Sequence, residues 1–322
     1  MKPMIILSGP TAVGKTKLSI ALAKAVNGEI ISADSMQVYR HMDIGSAKIK
    51  PAEMDGVLHH LIDICEPDEE FNVMIFKEKC EEALRGIYER GHIPLVTGGT
   101  GFYIQALLRD ISFTENETDQ SLREELERLA AQKGPEYLHE QLQQVDPKSA
   151  EIIHANNVKR TIRALEYFRL TGEPISRHNE REKAKPNAYN ACYFVLNDQR
   201  DRLYQRIELR IDEMLQNGLV EEVRTLKASG YHRDMVSMQG LGYKEILDWL
   251  DGKCTYEQAV EILKRDTRHF AKRQLTWFRR EPDVIWVDKD AFDYDEQRIL
   301  NYMLTVISQR GILQKTDERS EE

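Results

Sequence analysis

Near the start of the chain, Ser8-Gly9-Pro10-Thr11-Ala12-Val13-Gly14-Lys15-Thr16 has the residue types and spacing to hold a polyphosphate. The stretch fits G-x-x-x-x-G-K-[ST]. In that pattern backbone N–H groups cradle phosphate oxygens, a lysine adds a point charge, and a hydroxyl sits on phosphate-bound Mg²⁺. The apolar run Met4-Ile5-Ile6-Leu7 supplies the strand the motif needs before it. A helix from Lys15 to about Asn27 should follow, with Gly28 as its stop. Its N-terminus would face the anion. The motif leaves open which phosphate is bound and what happens to it.

Further chemistry-bearing residues fall where a parallel sheet would gather them. Gly28-Glu29-Ile30-Ile31-Ser32-Ala33-Asp34 reads as a second strand running into the polar turn Asp34-Ser35-Met36-Gln37. The C-terminal edge of an open parallel sheet is where ligands bind, so Asp34 is either a carboxylate for proton transfer or the N-cap of a helix. His92 to Gly101 reads as a buried strand breaking into Thr97-Gly98-Gly99-Thr100. Nucleotide hydrolases place a Mg²⁺-binding aspartate at that point. Its replacement by glycines suits close approach of a ligand or a nucleic-acid backbone, or a structural turn. Arg202, Arg206 and Arg210 form an i, i+4, i+8 column on a helix from Arg200 to Asn217. They could clamp phosphates or pair with Glu208, Asp212 and Glu213. Thr255-Tyr256-Glu257-Gln258 is a capping box opening a long helix on which Lys264, Arg268 and Lys272 make a second column, one that could track a nucleic-acid backbone. His59 and His60 start a short strand to Ile64 with no third metal ligand at a useful spacing, so a structural role is expected.

The elements that must position these residues alternate strand and helix, which implies an α/β fold, interrupted by a helical insertion. Residues 112–188 contain no β-rich run, and their charge is polarised: 10 acidic and 4 basic residues in 112–151, 4 acidic and 8 basic in 152–188. There, Asn156 or Asn157 caps a helix whose apolar stripe is Val158, Ile162, Leu165 and Phe168. Lys159, Arg160 and Arg163 share another face, either a solvated surface or a phosphate-contact face. The expected organisation is a core of 1–111 and 189–308, an inserted helical domain of 112–188, and a polar, disordered tail of 309–322. The chain of 322 residues is 41% hydrophobic with a net charge of −9, which argues against general nucleic-acid affinity but not against a local basic patch. Its four cysteines are widely spaced, as expected of reduced thiols. No secretory leader or bilayer-spanning stretch is present, and a soluble cytoplasmic protein is expected.

Assembled in order, seven segments resemble the tRNA dimethylallyltransferase family, the bacterial tRNA isopentenyltransferases. They are G-P-T-A-V-G-K-T at Gly9–Thr16, S-A-D-S-M-Q-V-Y at Ser32–Tyr39, M-D-I-G-S-A-K at Met42–Lys48, V-T-G-G-T at Val96–Thr100, R-I-E-L-R-I-D-E-M at Arg206–Met214, G-L-G-Y at Gly240–Tyr243 and A-K-R-Q-L-T-W at Ala271–Trp277. The resemblance implies a P-loop NTPase-like parallel sheet flanked by helices, with an inserted all-helical domain. It also implies transfer of a dimethylallyl group from its diphosphate to N6 of the tRNA adenosine immediately 3′ of the anticodon, which would have to be flipped out of its stack. By that resemblance Gly9, Pro10, Thr11, Ala12, Val13, Gly14, Lys15 and Thr16 hold the diphosphate, with Mg²⁺ shared by Thr16. Asp34 is the general base, and Thr11 and Arg210 act on the departing diphosphate. Ser35, Met36, Gln37 and Thr100 meet the adenosine. Arg123, the segment Lys159, Arg160, Thr161, Ile162 and Arg163, and the segment Gln239, Gly240, Leu241, Gly242, Tyr243 and Lys244 contact the tRNA. A monomer without membrane association is expected. A P-loop small-molecule kinase, a noncatalytic RNA-binding module and a transferase acting on free adenine nucleotides are the rival readings.

Overall fold

A computed structural model describes residues 1–113 and 120–313. The chain opens with β1 (Pro3–Ser8), in which Met4 to Leu7 are wholly buried, followed by α1 (Lys15–Ala25), β2 (Gly28–Ser32) and β3 (His59–His60). Then come α2 (Val73–Glu89), β4 (Ile93–Gly98) and α3 (Gly101–Leu108). A run of helices follows: α4 (Gln120–Lys133), α5 (Pro135–Val145), α6 (Pro147–Ile152), α7 (Val158–Thr171) and α8 (Ile175–Ala184). The chain returns through β5 (Asn190–Asn197), α9 (Arg200–Gln216), α10 (Leu219–Ala228), α11 (Tyr243–Leu250) and α12 (Tyr256–Phe278). It closes with β6 (Val284–Asp288) and α13 (Glu296–Gln309).

The strands form one parallel sheet in the order β3-β2-β4-β1-β5-β6 among the described residues. Ser8 pairs with Gly98 and with Val195, and Ser32 pairs with Thr97. The C-terminal ends of β1, β2 and β4 therefore stand level, and the loops after them open at one edge. Two compact units result, Met1–Leu107 with Tyr189–Glu322, and Leu108–Ala188. The second begins at Leu108 rather than at residue 112, and the segments by which the chain enters and leaves it are bonded to each other. Ala188 N–H donates to Leu108 O (2.8 Å), and Ser112 N–H donates to Glu182 Oε2 (2.9 Å). Inside this unit Leu126, Leu138, Leu142, Ile162 and Leu165 pack as a core. The buried Asp146 carboxylate takes bonds from the backbone and hydroxyls of Ser149 and Ser176, fixing the starts of α6 and α8.

Several expectations change. Helix α1 ends two residues early, and Asn27 takes the left-handed conformation expected of a glycine (φ 50°). Gly28 instead starts β2, where a Cβ would lie 2.7 Å from Ile93 O. The strand expected from His59 to Ile64 is two residues long, because Leu61 and Asp63 have positive φ. The tail does not leave the fold at residue 309, since Ile312 is 2% exposed and Arg310 Nη1 donates to Ala191 O. Residues 314–322 lie outside the described residues. The four cysteines are unpaired, as expected. Helices α10 and α11 had no counterpart in the sequence reading.

The histidines are structural. Glu29, 2% exposed, accepts from Arg90 Nε and Nη2 (2.7 and 2.8 Å), His60 Nε2 (2.6 Å) and His92 Nδ1 (2.6 Å), joining β2 to β3 and to the turn before β4. The Arg90 guanidinium, helped by the two imidazoles and opposed by burial, holds the Glu29 carboxyl at about 2. A depressed carboxylate stabilises the fold fully above its unfolded value of 4.5, and that contribution fades as pH falls toward about 2. Glu29→Gln should therefore cost about 2 kcal/mol at pH 7. In urea unfolding, the gap from wild type should narrow as pH is lowered from 5 toward 2.5.

Candidate active site

The phosphate loop is shaped by its carbonyls. Lys15 Nζ donates to Gly9 O and Pro10 O (2.9 Å each), Arg206 Nε to Ala12 O (2.8 Å), and Lys289 Nζ to Val13 O (3.3 Å). With these oxygens held by cations, the N–H groups of the first turn of α1, which have no intrahelical partner, border the cavity. Gly9 is obligatory, because its φ is 148° and a Cβ would lie 2.6 Å from Leu196 O. Gly14 (φ 104°) is the N-cap of α1 and offers no side chain to compete with an anion. From α12, Gln274 bridges two loops: its Oε1 accepts Thr11 N–H (2.9 Å) and its Nε2 donates to Gly99 O (3.0 Å).

Three further groups face the same space. Arg210 Nη1 donates to Thr11 Oγ1 (3.2 Å). Burial lowers both the Arg210 guanidinium and the Lys15 ammonium, the latter to about 8, and Asp34 opposes the shift in each. Asp34 Oδ1 accepts Met36 N–H (2.9 Å) and closes a turn. No helix follows, so the N-cap alternative falls. Gln37 has both ends of its amide engaged, Oε1 by Ser32 Oγ (3.1 Å) and Nε2 with Ala47 O (3.3 Å).

These residues line a cavity of about 660 Å³. Thr11, Ala12, Gly14, Lys15, Thr16, Arg206 and Arg210 form its cationic end. Asp34, Ser35, Met36, Gln37, Thr100, Gln239, Gly240, Leu241, Gly242 and Lys244 form a polar wall, and Leu209, Met214, Leu263 and Phe270 from α9 and α12 supply apolar surface. Such a site can hold a polyanion with a short apolar group beside a carboxylate able to take a proton.

Other expected residues lie elsewhere. Gly9, Pro10 and Val13 shape the loop without lining the cavity. Tyr243, grouped with the tRNA-contacting segment, is 0% exposed and donates to Glu222 Oε1 (2.8 Å), so its ring serves packing. In the helical unit Lys159 and Arg160 are exposed and Arg163 is half-buried. Thr161 and Ile162, at 0% and 4%, face that unit's own core and cannot meet RNA through their side chains. In the same helix Tyr167 is buried where Phe168 was expected, and Phe168 is half-buried. Arg123 makes a two-pronged pair with the buried Glu166 (2.8 and 2.9 Å).

The glycine-rich loop borders the cavity at Gly99 and Thr100, and its glycines also pack closely against protein. A Cβ would lie 2.2 Å from Ala33 O at Gly98, 2.1 Å from Gln274 Nε2 at Gly99 and 2.1 Å from Trp277 at Gly101. The column on α12 is partly neutralised, Lys264 by Asp212 and Arg268 by Glu208 (2.6 Å each), so those carboxylates are not available to the arginines of α9. Arg202 lies over the Tyr294 ring, 3.8 Å from its centroid, and not at the cavity. Gln274 and Lys289 carry no spacing that marks the roles they take: Gln274 lies in the segment Ala271–Trp277 that resembles the family, and Lys289 simply follows a strand. Among the described residues no cluster of His, Cys, Asp or Glu could hold a metal.

Known proteins place this arrangement. The IPP transferase family model matches residues 37–281, and the isopentenyl transferase model matches residues 2–66. A tRNA dimethylallyltransferase of Lachnoclostridium phytofermentans is 61% identical over 97% of this chain and all of its own length. One from Acetivibrio thermocellus is 50% identical over 94% of this chain and 96% of its own. The crystal structure of a tRNA isopentenylpyrophosphate transferase from Bacillus halodurans superposes with a TM-score of 0.72, at 44% identity, covering 97% of this chain and 98% of that one. A eukaryotic dimethylallyltransferase solved acting on tRNA gives 0.82 at 31% identity, covering 98% of this chain and 82% of its own. The chain, matched over most of its length by the family model, belongs to the IPP transferase family.

Proposed function

We propose that the protein transfers a dimethylallyl group from dimethylallyl diphosphate to N6 of the tRNA adenosine immediately 3′ of the anticodon, releasing diphosphate. The observation that carries this reading is the single cavity joining a phosphate loop, an apolar surface and the Asp34 carboxylate. The names of the relatives support the substrate class. The diphosphate lies against the first turn of α1, with Lys15 and Arg210 offsetting the charge that builds as the C1–O bond breaks. The N6 lone pair attacks C1, and the proton lost from nitrogen passes to Asp34. The apolar side chains of α9 and α12 cover the five-carbon group and keep water from its cationic carbon.

Mg²⁺ fits this site only as an ion carried by the diphosphate. Thr16 offers one exposed hydroxyl at the start of α1, and Mg²⁺ accepts such sparse protein ligation when phosphate oxygens and water complete its shell. When bound, it supplies charge neutralisation on the leaving group. The cations Lys159 and Arg160 are proposed to grip the anticodon stem. No helix among the described residues is long and apolar enough to cross a membrane.

Incubation with unmodified tRNA, Mg²⁺ and labelled dimethylallyl diphosphate should place label in the tRNA, and Asp34→Ala should slow transfer by about 100-fold or more. ATP turnover without label transfer would refute the reading. A second test follows from Lys15. Its value of about 8 must rise when an anion displaces the carbonyls it now holds. Calorimetry of diphosphate binding at pH 9, in buffers of different ionisation enthalpy, should show wild type taking up about one proton more than Lys15→Met. At pH 6.5 the two should not differ.

A further inference from the structure

One carboxylate outside the assigned residues is bonded as a surface glutamate is not. Glu222, in the first turn of α10, accepts four hydrogen bonds. Its Oε2 takes the backbone N–H groups of Asp43 (3.0 Å) and Ile44 (2.7 Å). Its Oε1 takes Gly45 N–H (3.0 Å) and the Tyr243 hydroxyl (2.8 Å). Successive N–H groups converging on one point make a concave anion site, and here the anion is part of the chain. Burial and the Glu222 charge push the Tyr243 phenol well above its ordinary range, so it remains a donor. Gly45 is required because a Cβ would lie 2.5 Å from the Tyr243 ring.

From this clamp a chain of contacts leads to the reaction site. Gly45, Ser46 and Ala47 form one wall of the cavity. Ser46 O and Ala47 O accept from Gln37 Nε2 (3.5 and 3.3 Å), so the loop backbone decides which way the Gln37 amide points. Gln37 is three residues past Asp34, and Met36 N–H, between them, orients the Asp34 carboxylate. The phosphate loop is not in this chain of contacts. We infer that Glu222 is a positioning residue for the acceptor: a built-in anion that fixes loop 43–47 and, through it, the Gln37 side of the cavity.

The inference rests on the proposed transfer reaction, and it separates acceptor binding from diphosphate binding. Glu222→Gln keeps the shape but turns an NH₂ group toward two of the four donors. With a native circular dichroism spectrum, this variant should raise the KM for tRNA about tenfold and leave the Kd for inorganic pyrophosphate within about twofold of wild type. Tyr243→Phe, which removes one donor and keeps the charge, should move the tRNA KM the same way by a smaller factor. It decides the matter if Glu222→Gln does not fold. Acetate added to Glu222→Ala should enter the vacated N–H cluster and lower its tRNA KM, with no such effect on wild type. An unchanged tRNA KM in a folded variant, or an equal loss of pyrophosphate affinity, would overturn the inference. A wild type that passes no label to tRNA overturns the transfer reading itself, before any variant is compared.

Discussion

A backbone contact between the ends of β2 and β4 holds the site together. Ala33 O lies so near Gly98 that no side chain fits there. Ala33 N–H donates to Thr97 O (2.7 Å), and Thr100 N–H donates back to Ala33 O (3.2 Å). The two strands are thus held together one residue past their last regular pair, just where Asp34 leaves the sheet. A slip of one residue would turn every side chain of a strand to the opposite face. The direction of Asp34 is therefore set by a residue with no side chain, on a different strand. The pairing of Ser8 with Gly98 extends the same constraint to the phosphate loop.

Around that framework the charge is unbalanced. Lys15, Arg206, Lys289 and Arg210 converge on one loop, three of them on its carbonyl oxygens, opposed on the cavity wall by the carboxylates Asp34 and Glu213. Burial depresses Lys15, Arg210 and Lys289 together. Desolvated like charges cost stability, and a polyanion bound among them would relieve that cost. The acidic total of the sequence gives no hint of this. Two of the carboxylates on α9, Glu208 and Asp212, point instead to Arg268 and Lys264 on α12, leaving Glu213 beside Arg210.

Much of this was legible in the residues, and the failures share a cause. The strand before the glycine-rich turn at residues 9–16, the helix after it, the capping box of α12 and the run of helices between β4 and β5 are local patterns, and each is present in the fold. Roles that depend on what lies across a gap did not show. The glycines after β4 read either as room for a ligand or as a structural turn; Gly99 does border the cavity, whereas Gly98 and Gly101 are closely covered by Ala33 and Trp277. Thr161 and Ile162 stand between cations in sequence yet face inward, because a helix carries neighbouring residues to different faces. Gln274 and Lys289 touch the phosphate loop from 263 and 276 residues away, a distance over which no sequence period speaks.

The helical unit leaves and rejoins the chain at residues that hydrogen-bond each other, Leu108 O and Ala188 N–H. Closing a loop across ends already in contact carries almost none of the entropy that separates distant ends. The 79 residues between them can thus be gained, lost or exchanged in evolution without re-registering a strand or moving the phosphate loop. A lineage could then keep the sheet core and exchange what is inserted in it by altering a single junction.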